Sequence, residues 1–537
     1  MPFLGQVLLL AAAPPILPAP ATAPAAPLIF DQNRPDRMPA PALPPASASS
    51  ASAPVTIEAG EADVVLRVID FRGAVVPAPV ATAARAFVGR PASRATLAAV
   101  AAAMAAAYAR TDIALYTIAV PSQSLAGGRL TIVVAEGYVE QVQFVHRLSP
   151  LLKAYAMRLT VERPLRRRTL ERYLSLMRDV PGATLDVQML RGTRPGAVIL
   201  RIDAKRKRHE FATGYDNRGT NLLGAGEGRA EAHFYGLLRD GDRTDLTGLV
   251  SPDLRRLRYV AASHTTPLGH DGATATASAG YISTHPRRGA LDGTARTFGL
   301  TASLPLVRGF KRNLSLTLGL DGIDSDSAAL GDLVSSDHTR AVRLATGWSD
   351  SEPKSALTAG VTLSRGLDIL RARGTPGVTD TAFTKLNGRI TYDHAFGQHW
   401  VARARAAGQW SPDRLAAAER FAIGGADFGR AFDTAVLSGD SGYAASAELA
   451  LRPKLSARLA GSELYLFADR ATVHIAARGI YAAGDFDLAS AGGGVRIAYT
   501  PRATIELEAA RAVDEPYPGY RQKWRINIGW RLTLARR

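Results

Sequence analysis

The stretch FAIGGADFGRAFDTAVLSGD, residues 421–440, lies between two segments in which polar and apolar residues alternate. Such alternation is typical of β-strands with one polar and one apolar face. We therefore predict that 421–440 is a long loop that joins two neighbouring strands. Its glycines Gly424, Gly425 and Gly429 allow tight turns, and Phe432 offers an apolar anchor.

The alternation around this loop extends from residue 205 to the C-terminus, and a helical period is not found there. In one segment Trp524, Ile526, Ile528 and Trp530 alternate with polar residues. The segments are about 10 residues long, as a tilted membrane-spanning strand requires, and about sixteen fit between residues 209 and 534. We predict an all-β transmembrane barrel of about 16 antiparallel strands over residues 205–537. Alternation alone is also typical of a soluble β-sandwich.

The segment around residue 465 has a predicted inner and outer face. Period two places Leu464, Leu466 and Ala468 toward lipid, and it places Tyr465, Phe467 and Asp469 toward the lumen. A loop folded into the lumen would bring Arg430 within reach of Asp469. We predict a bidentate bond from the Arg430 guanidinium to the Asp469 carboxylate, which fixes the register of the loop.

These two motifs resemble those of a known family. The pair Gly424-Gly425, followed after three residues by Gly429-Arg430-Ala431-Phe432, is similar to the inward loop of two-partner secretion transporters (the TpsB type, the haemolysin secretion/activation group). Phe467-Ala468-Asp469 is similar to the barrel-wall motif that pairs with this loop in that family. Family members have Val or Ile where this chain has Gly429, and Gly where it has Ala431.

The resemblance implies a function and a set of partners. It implies a bacterial outer-membrane pore that binds and secretes a large unfolded client of the TpsA type. It also implies two polypeptide-transport-associated (POTRA) domains in the periplasm, contact with outer-membrane lipid, and insertion by the barrel-assembly machinery. Alternatives are an outer-membrane protein assembly factor, a passive porin, and a soluble basic adhesin or nucleic-acid binder.

The N-terminal region reads as a leader and a linker. Apolar residues at 7–13 followed by small residues predict a signal peptide over 1–25, although Lys or Arg does not precede the apolar core. Residues 26–61 are dominated by Pro, Ala and Ser and predict an extended linker. Within it, 28–38 is the candidate for a helix that plugs the pore, and Pro35 interrupts it.

The region before the barrel predicts two α+β domains, at 62–139 and 140–204. In the first, a strand at Val64–Ile69 precedes helices at 79–87 and 94–109 and short strands at 116–120 and 130–134. In the second, Thr169 is the candidate N-cap of a helix, and the strands 184–190 and 197–202 follow. Both resemble POTRA domains; two unrelated modules are the alternative.

The composition excludes some classes of functional site. The chain has 537 residues, a net charge of +17 and no cysteine, which excludes disulfides and thiolate sites. The basic runs 166–168 and 205–208 indicate a solvated face, or contact with lipid headgroups or an unfolded client. We predict no enzyme, cofactor, metal or nucleic-acid partner, because the histidines are scattered and a nucleophile elbow is not found.

Overall fold

A computed structural model of the protein describes residues 55–57, 64–146, 148–286, 292–329, 332–479, 482–500, 502–517 and 519–534. The described residues divide into a first unit that ends at Arg206 and a second unit that begins at Lys207. The predicted signal peptide, the candidate plug at 28–38 and most of the predicted linker lie outside the described residues. A helix long and apolar enough to cross a membrane is not found among the residues described.

The first unit contains two α+β repeats. The first repeat consists of strands β1 (Val55–Ile57) and β2 (Val68–Gly73), helices α1 (Ala78–Arg85) and α2 (Arg94–Tyr108), and strands β3 (Tyr116–Val120) and β4 (Arg129–Glu136). The strand order is β1-β3-β4-β2, and β1 runs parallel to β3. The helices pack on the sheet around a buried core that includes Leu97, Met104 and Ile132.

Two expectations for this repeat are corrected. Val55–Ile57 belongs to the predicted linker, yet it forms β1, because its β-branched residues complete the edge of the sheet. The strand predicted at Val64–Ile69 begins only at Val68. The preceding residues pair with a loop instead, and the N–H of Leu66 donates to the carbonyl of Arg90 at 2.9 Å.

The second repeat consists of strand β5 (Tyr138–Phe144), helices α3 (Pro150–Arg158) and α4 (Arg167–Asp179), and strands β6 (Ala183–Arg191) and β7 (Ala197–Arg206). The strand order is β5-β7-β6, so β6 lies at an edge. The predicted N-cap at Thr169 is wrong, because α4 begins earlier, at Arg167. The Thr169 hydroxyl instead donates to Glu162 at 3.0 Å.

The second unit is a closed barrel of sixteen antiparallel strands, which confirms the predicted fold class. The strands of the barrel are β8 (His209–Asp216), β9 (Glu227–Tyr235), β10 (Arg243–Val250), β11 (Leu257–Leu268), β12 (Ala273–Thr284), β13 (Asp292–Arg308), β14 (Arg312–Ala329), β15 (Asp332–Glu352), β16 (Ser355–Gly366), β17 (Thr384–Phe396), β18 (Trp400–Trp410), β21 (Ser441–Leu451), β22 (Glu463–Ile475), β23 (Gly484–Tyr499), β24 (Ala503–Asp514) and β25 (Trp524–Leu534). Closure occurs where β25 pairs with β8. Two short strands, β19 (Phe421–Ile423) and β20 (Leu437–Gly439), pair with each other between β18 and β21.

The two faces of the wall follow the alternation of the sequence. On β22 the side chains of Leu464, Leu466 and Ala468 are exposed, whereas Tyr465, Phe467 and Asp469 are buried, as predicted. On β25 the exposed side chains include Trp524 and Ile526, and the intervening Arg525 is buried. The long segment 411–440 emerges at one end of the barrel, which we call the loop side. We call the end with the short turns, such as 309–311 and 397–399, the turn side.

Candidate functional site: the inward loop and its ionic contacts

The segment 411–440, the inward loop, lies inside the barrel and contains the β19–β20 hairpin. Within the hairpin, the N–H of Gly424 donates to Phe428 at 2.9 Å and the N–H of Gly425 donates to Gly429 at 3.1 Å. Gly424 has φ of +99°, and a Cβ there would lie 2.4 Å from the Asp433 carbonyl oxygen. The turn therefore requires glycine at residue 424 for both conformation and space.

An apolar core holds the loop against the wall. Phe432 and Ala431 are fully buried, and they pack in a cluster with wall residues of β21–β24. The ring of Phe432 lies 5.4 Å from that of Tyr520, centroid to centroid. Burying a phenylalanine of this size contributes about 1.5–3 kcal/mol to holding the loop in place.

Arg430 binds two glutamates of the wall. Its Nη1 donates to Glu448 of β21 at 3.0 Å and to Glu508 of β24 at 3.1 Å. Its guanidinium carbon also lies 4.2 Å from the centroid of the Phe467 ring, a cation–π contact. The predicted bidentate bond from Arg430 to Asp469 is wrong, because the guanidinium extends past that carboxylate to the two glutamates.

Asp469 binds the backbone of the loop instead of the arginine side chain. Its Oδ1 accepts the N–H of Gly429 at 2.8 Å and the hydroxyl of Ser490 at 2.7 Å. Its Oδ2 lies 3.5 Å from the N–H of Arg430. The structure therefore brings Gly429, Arg430, Phe467 and Asp469 together, with the carboxylate acting on the main chain beside the arginine.

The surroundings of Arg430 form a buried network that we call the Arg430 cluster. Its members are Arg403, Arg430, Arg496, Glu448, Glu463 and Glu508. Glu448 also binds Arg403 at 2.6 Å and Arg496 at 2.7 Å. Glu508 also binds Arg218 at 3.1 Å and accepts the hydroxyl of Tyr465 at 2.9 Å. Each glutamate that Arg430 contacts thus has other donors.

A second network, the Glu419 cluster, holds the beginning of the same loop. Its members are Asp321, Arg343, Ser364, Lys385 and Glu419. The carboxylate of Glu419 accepts from Arg343 at 2.8 Å and from Lys385 at 2.7 Å. Arg343 also forms a fork on Asp321, at 2.6 and 2.9 Å. Glu419 and Arg343 have no solvent exposure, so both charges are fully buried.

The two clusters take their wall residues from different strands, β14 to β17 for the Glu419 cluster and β18 and β21 to β24 for the Arg430 cluster. Arg343 belongs to β15 and Glu508 to β24, which are seven strands apart in the sixteen-strand order. Further contacts tie the loop to the wall: Asp433 pairs with Arg525 of β25, and Asp440 pairs with Arg478. The loop therefore spans the lumen and is bound on both sides by ion pairs.

Sequence reasoning missed the carboxylates that bind this loop's arginine, and it missed Glu419. Glu448 stands alone among the small residues of β21, at a position that alternation places inside. This isolated position could have indicated that Glu448 has a cationic partner, because a single inward carboxylate in a strand of alanines needs one. Among the residues described, a cluster of His, Cys, Asp and Glu suited to a metal is not found.

Comparison with known proteins gives a family match. The family model described as "Haemolysin secretion/activation protein ShlB/FhaC/HecB" matches residues 196–497, more than half of the chain. Those residues include the inward loop and both of its clusters except Glu508. A search of curated protein sequences found no match.

Solved structures share the fold at low identity. CdiB from Escherichia coli is 20% identical with a TM-score of 0.70, covering 90% of this chain and 94% of that one. CdiB from Acinetobacter baumannii is 17% identical with a TM-score of 0.63, covering 89% and 91%. BamA from Haemophilus ducreyi, in a structure lacking POTRA domains 1–3, is 13% identical with a TM-score of 0.52, covering 88% and 100%.

Proposed function

Because this chain belongs to the haemolysin secretion/activation family ShlB/FhaC/HecB, it is an outer-membrane pore of the two-partner secretion type, and we propose that its inward loop controls passage of the client. The observation that carries the proposal is the position of Arg430. It reaches from a loop that spans the lumen to Glu448 and Glu508 on the wall. We propose that part of this loop moves when an extended polypeptide passes.

We propose that the client is a large TpsA-type protein captured in the periplasm as an extended chain. The edge strand β6 supports this proposal, since a partner strand on its outer side is not found among the described residues. Met189 and Leu190 near its end are exposed. An unpaired edge with exposed apolar side chains suits addition of a client strand by main-chain hydrogen bonds.

Conduction is proposed to be passive. The lumen offers ion pairs and apolar contacts for holding the loop, and a nucleotide site is not indicated by the sequence. Folding of the client outside the cell would supply direction, because folded client cannot return through the barrel. We accordingly propose a conduit without catalysis, cofactor or nucleic-acid partner.

We propose that two motifs act together in export. The loop motif is Gly424, Gly425, Gly429, Arg430 and Phe432, and the wall motif is Phe467 and Asp469. Asp469 holds the main chain at Gly429, which orients the Arg430 side chain toward its glutamates. The pair of motifs would therefore set the resting position of the loop.

The domain limits are proposals as well. We propose a signal peptide over 1–25, a linker that ends before Val55, two POTRA domains that end near residues 137 and 206, and a barrel from 207, because β5 begins at Tyr138 and β7 ends at Arg206. Insertion by the barrel-assembly machinery and contact with outer-membrane lipid are proposed on the family resemblance. An assembly factor and a passive porin are less favoured, since the family match is to secretion proteins.

The test is client export by cells that carry Arg430→Ala or Asp469→Ala. The client would be sought in the neighbouring open reading frame, where a large secreted repeat protein is expected. We expect export to be lost while the barrel still inserts and shows heat-modifiable migration. Arg414→Ala is the matched control, because it removes an exposed ion pair with Asp380 from the same loop. Full export by both test variants would refute the role of the loop.

A further inference from the structure

Two arginines on the outer face of the barrel flank a single strand. Arg470 of β22 pairs in register with Ala489 of β23, and Arg511 of β24 pairs with Ala491 of the same strand. Both arginines are exposed, and β23 presents only the methyl groups of these alanines between them. From the spacing of strands and the offset of two residues along β23, the two Cα atoms lie roughly 12 Å apart across the wall.

This pair lies toward the loop side, where aromatic residues mark the edge of the lipid-facing band. Arg511 stacks at 5.8 Å over the ring of Trp524, which is exposed on the outer face of β25. Exposed Trp and Tyr of a barrel lie at the level of the lipid headgroups. On β22, the outward residues Leu464 and Leu466 precede Arg470, so the apolar band ends at the arginine.

Neither arginine has a carboxylate partner among the described residues. On the turn side, two exposed cations do have carboxylate partners: Arg312 pairs with Asp350 at 3.3 Å and Lys311 with Glu352 at 2.9 Å. A cation on the lipid face is costly unless its head reaches an anion at the interface. The unpaired arginines of the loop side therefore require an anion that the protein does not provide.

We propose that Arg470 and Arg511 bind the phosphate groups of a glycolipid in the outer leaflet. The planar guanidinium donates two parallel hydrogen bonds to a phosphate, and two arginines at this spacing suit a headgroup with two phosphates. The site is open to lipid and lies beside apolar side chains such as Leu466 and Ile526 that acyl chains can cover. The occupant is thus a lipid, and the proposal is independent of the client.

The experiment uses the full chain refolded into phosphatidylcholine vesicles, alone or mixed with bisphosphorylated lipid A or with its dephosphorylated form. The readout is the temperature at which heat-modifiable migration is lost. We expect only the phosphorylated lipid to raise that temperature. The double variant Arg470→Gln/Arg511→Gln should lose the increase, and Arg312→Gln, an exposed arginine at the opposite end, should keep it.

Two further measurements make the result decisive. In phosphatidylcholine alone the double variant should unfold at a temperature no lower than that of the unmodified chain, because glutamine is less costly than arginine on the lipid face. Should the double variant fail to refold, Arg511→Gln alone is compared with Arg511→Lys, which retains the charge and should retain part of the increase. An equal increase in all variants, or with dephosphorylated lipid or inorganic phosphate, overturns the proposal.

Discussion

Two parts of the inward loop, around Glu419 and around Arg430, are bound by clusters to which the loop contributes opposite charges. The Arg430 cluster receives a cation from the loop and supplies glutamates that already have other arginines as partners. The Glu419 cluster receives an anion from the loop, and both Arg343 and Lys385 converge on it. The difference teaches that the wall glutamates of the Arg430 cluster have wall arginines as partners without the loop, whereas the Glu419 cluster takes one of its carboxylates from the loop.

This contrast bears on how a loop that spans a pore can be both stable and movable. Removal of Arg430 from its cluster leaves Glu448 paired with Arg403 and Arg496. Removal of Glu419 breaks the buried ion pairs that its carboxylate forms with Lys385 and Arg343. We infer that the loop detaches from the wall more easily around Arg430. Around Glu419 it stays attached and acts as a hinge.

The largest effect is expected for Glu419→Ala. Loss of this carboxylate breaks its buried ion pairs with Lys385 and Arg343, and breaking a buried pair costs about 3–5 kcal/mol of unfolding free energy. The measurement is urea-induced unfolding of the refolded barrel. Glu419→Gln is the control, because it retains an acceptor and should lose less. Stability equal to that of the unmodified chain would show that the barrel does not depend on the Glu419 carboxylate.

A smaller loss is expected for Arg430→Ala. We predict a decrease of about 1–3 kcal/mol in the same unfolding experiment, since the two glutamates keep their other donors while the charge-assisted bonds are lost. Arg430→Lys restores the charge without the fork, and it should recover part of the loss. A loss as large as that of Glu419→Ala would contradict the asymmetry between the clusters.

A smaller effect again is expected for Asp469→Asn. The side-chain oxygen of Asn can still accept the N–H of Gly429, so about 1 kcal/mol should be lost through one weakened hydrogen bond. Asp469→Ala removes the acceptor and should lose more. If the two substitutions are equally destabilising, the negative charge of Asp469 matters and the backbone contact does not.

The smallest effect is the coupling between the clusters. They share no residue, so the losses for Glu419→Ala and Arg430→Ala should add to within about 0.3–0.5 kcal/mol in a double-mutant cycle. A Glu448→Ala and Arg430→Ala cycle serves as the positive control, because those side chains bond directly. Coupling outside that range between the distant pair would mean that the loop transmits strain from one wall to the other.

The barrel could be predicted from the sequence because the alternation of polar and apolar residues is a property of each strand. It is the same whether or not the sheet closes. The faces of β22 followed from period two alone, and the conformations of Gly424 and Gly429 agree with the predicted turns. The partner of Arg430 could not be predicted in the same way. Glu448 and Glu508 are 18 and 78 residues away along the chain, and their proximity depends on the register of strands that the sequence does not specify.

Short or irregular elements were also missed. Strand β1 has three residues, and it exists only because the edge of β3 is available to it. The N-cap residue of α4, Arg166, makes no capping hydrogen bond, and the N–H of Arg168 donates instead to Asp112 at 3.2 Å, so the residue preference that indicated Thr169 was misleading. In both cases tertiary contacts outweighed local propensity.

Strand β1 has a consequence for behaviour in a crowded compartment. By lying along β3, it makes the edge of the first sheet a strand of only three residues. An exposed border recruits strands indiscriminately, including those of other copies. An edge of three residues offers few unpaired backbone groups, so it is a poorer template for strand addition than β6 of the second sheet, which has nine residues.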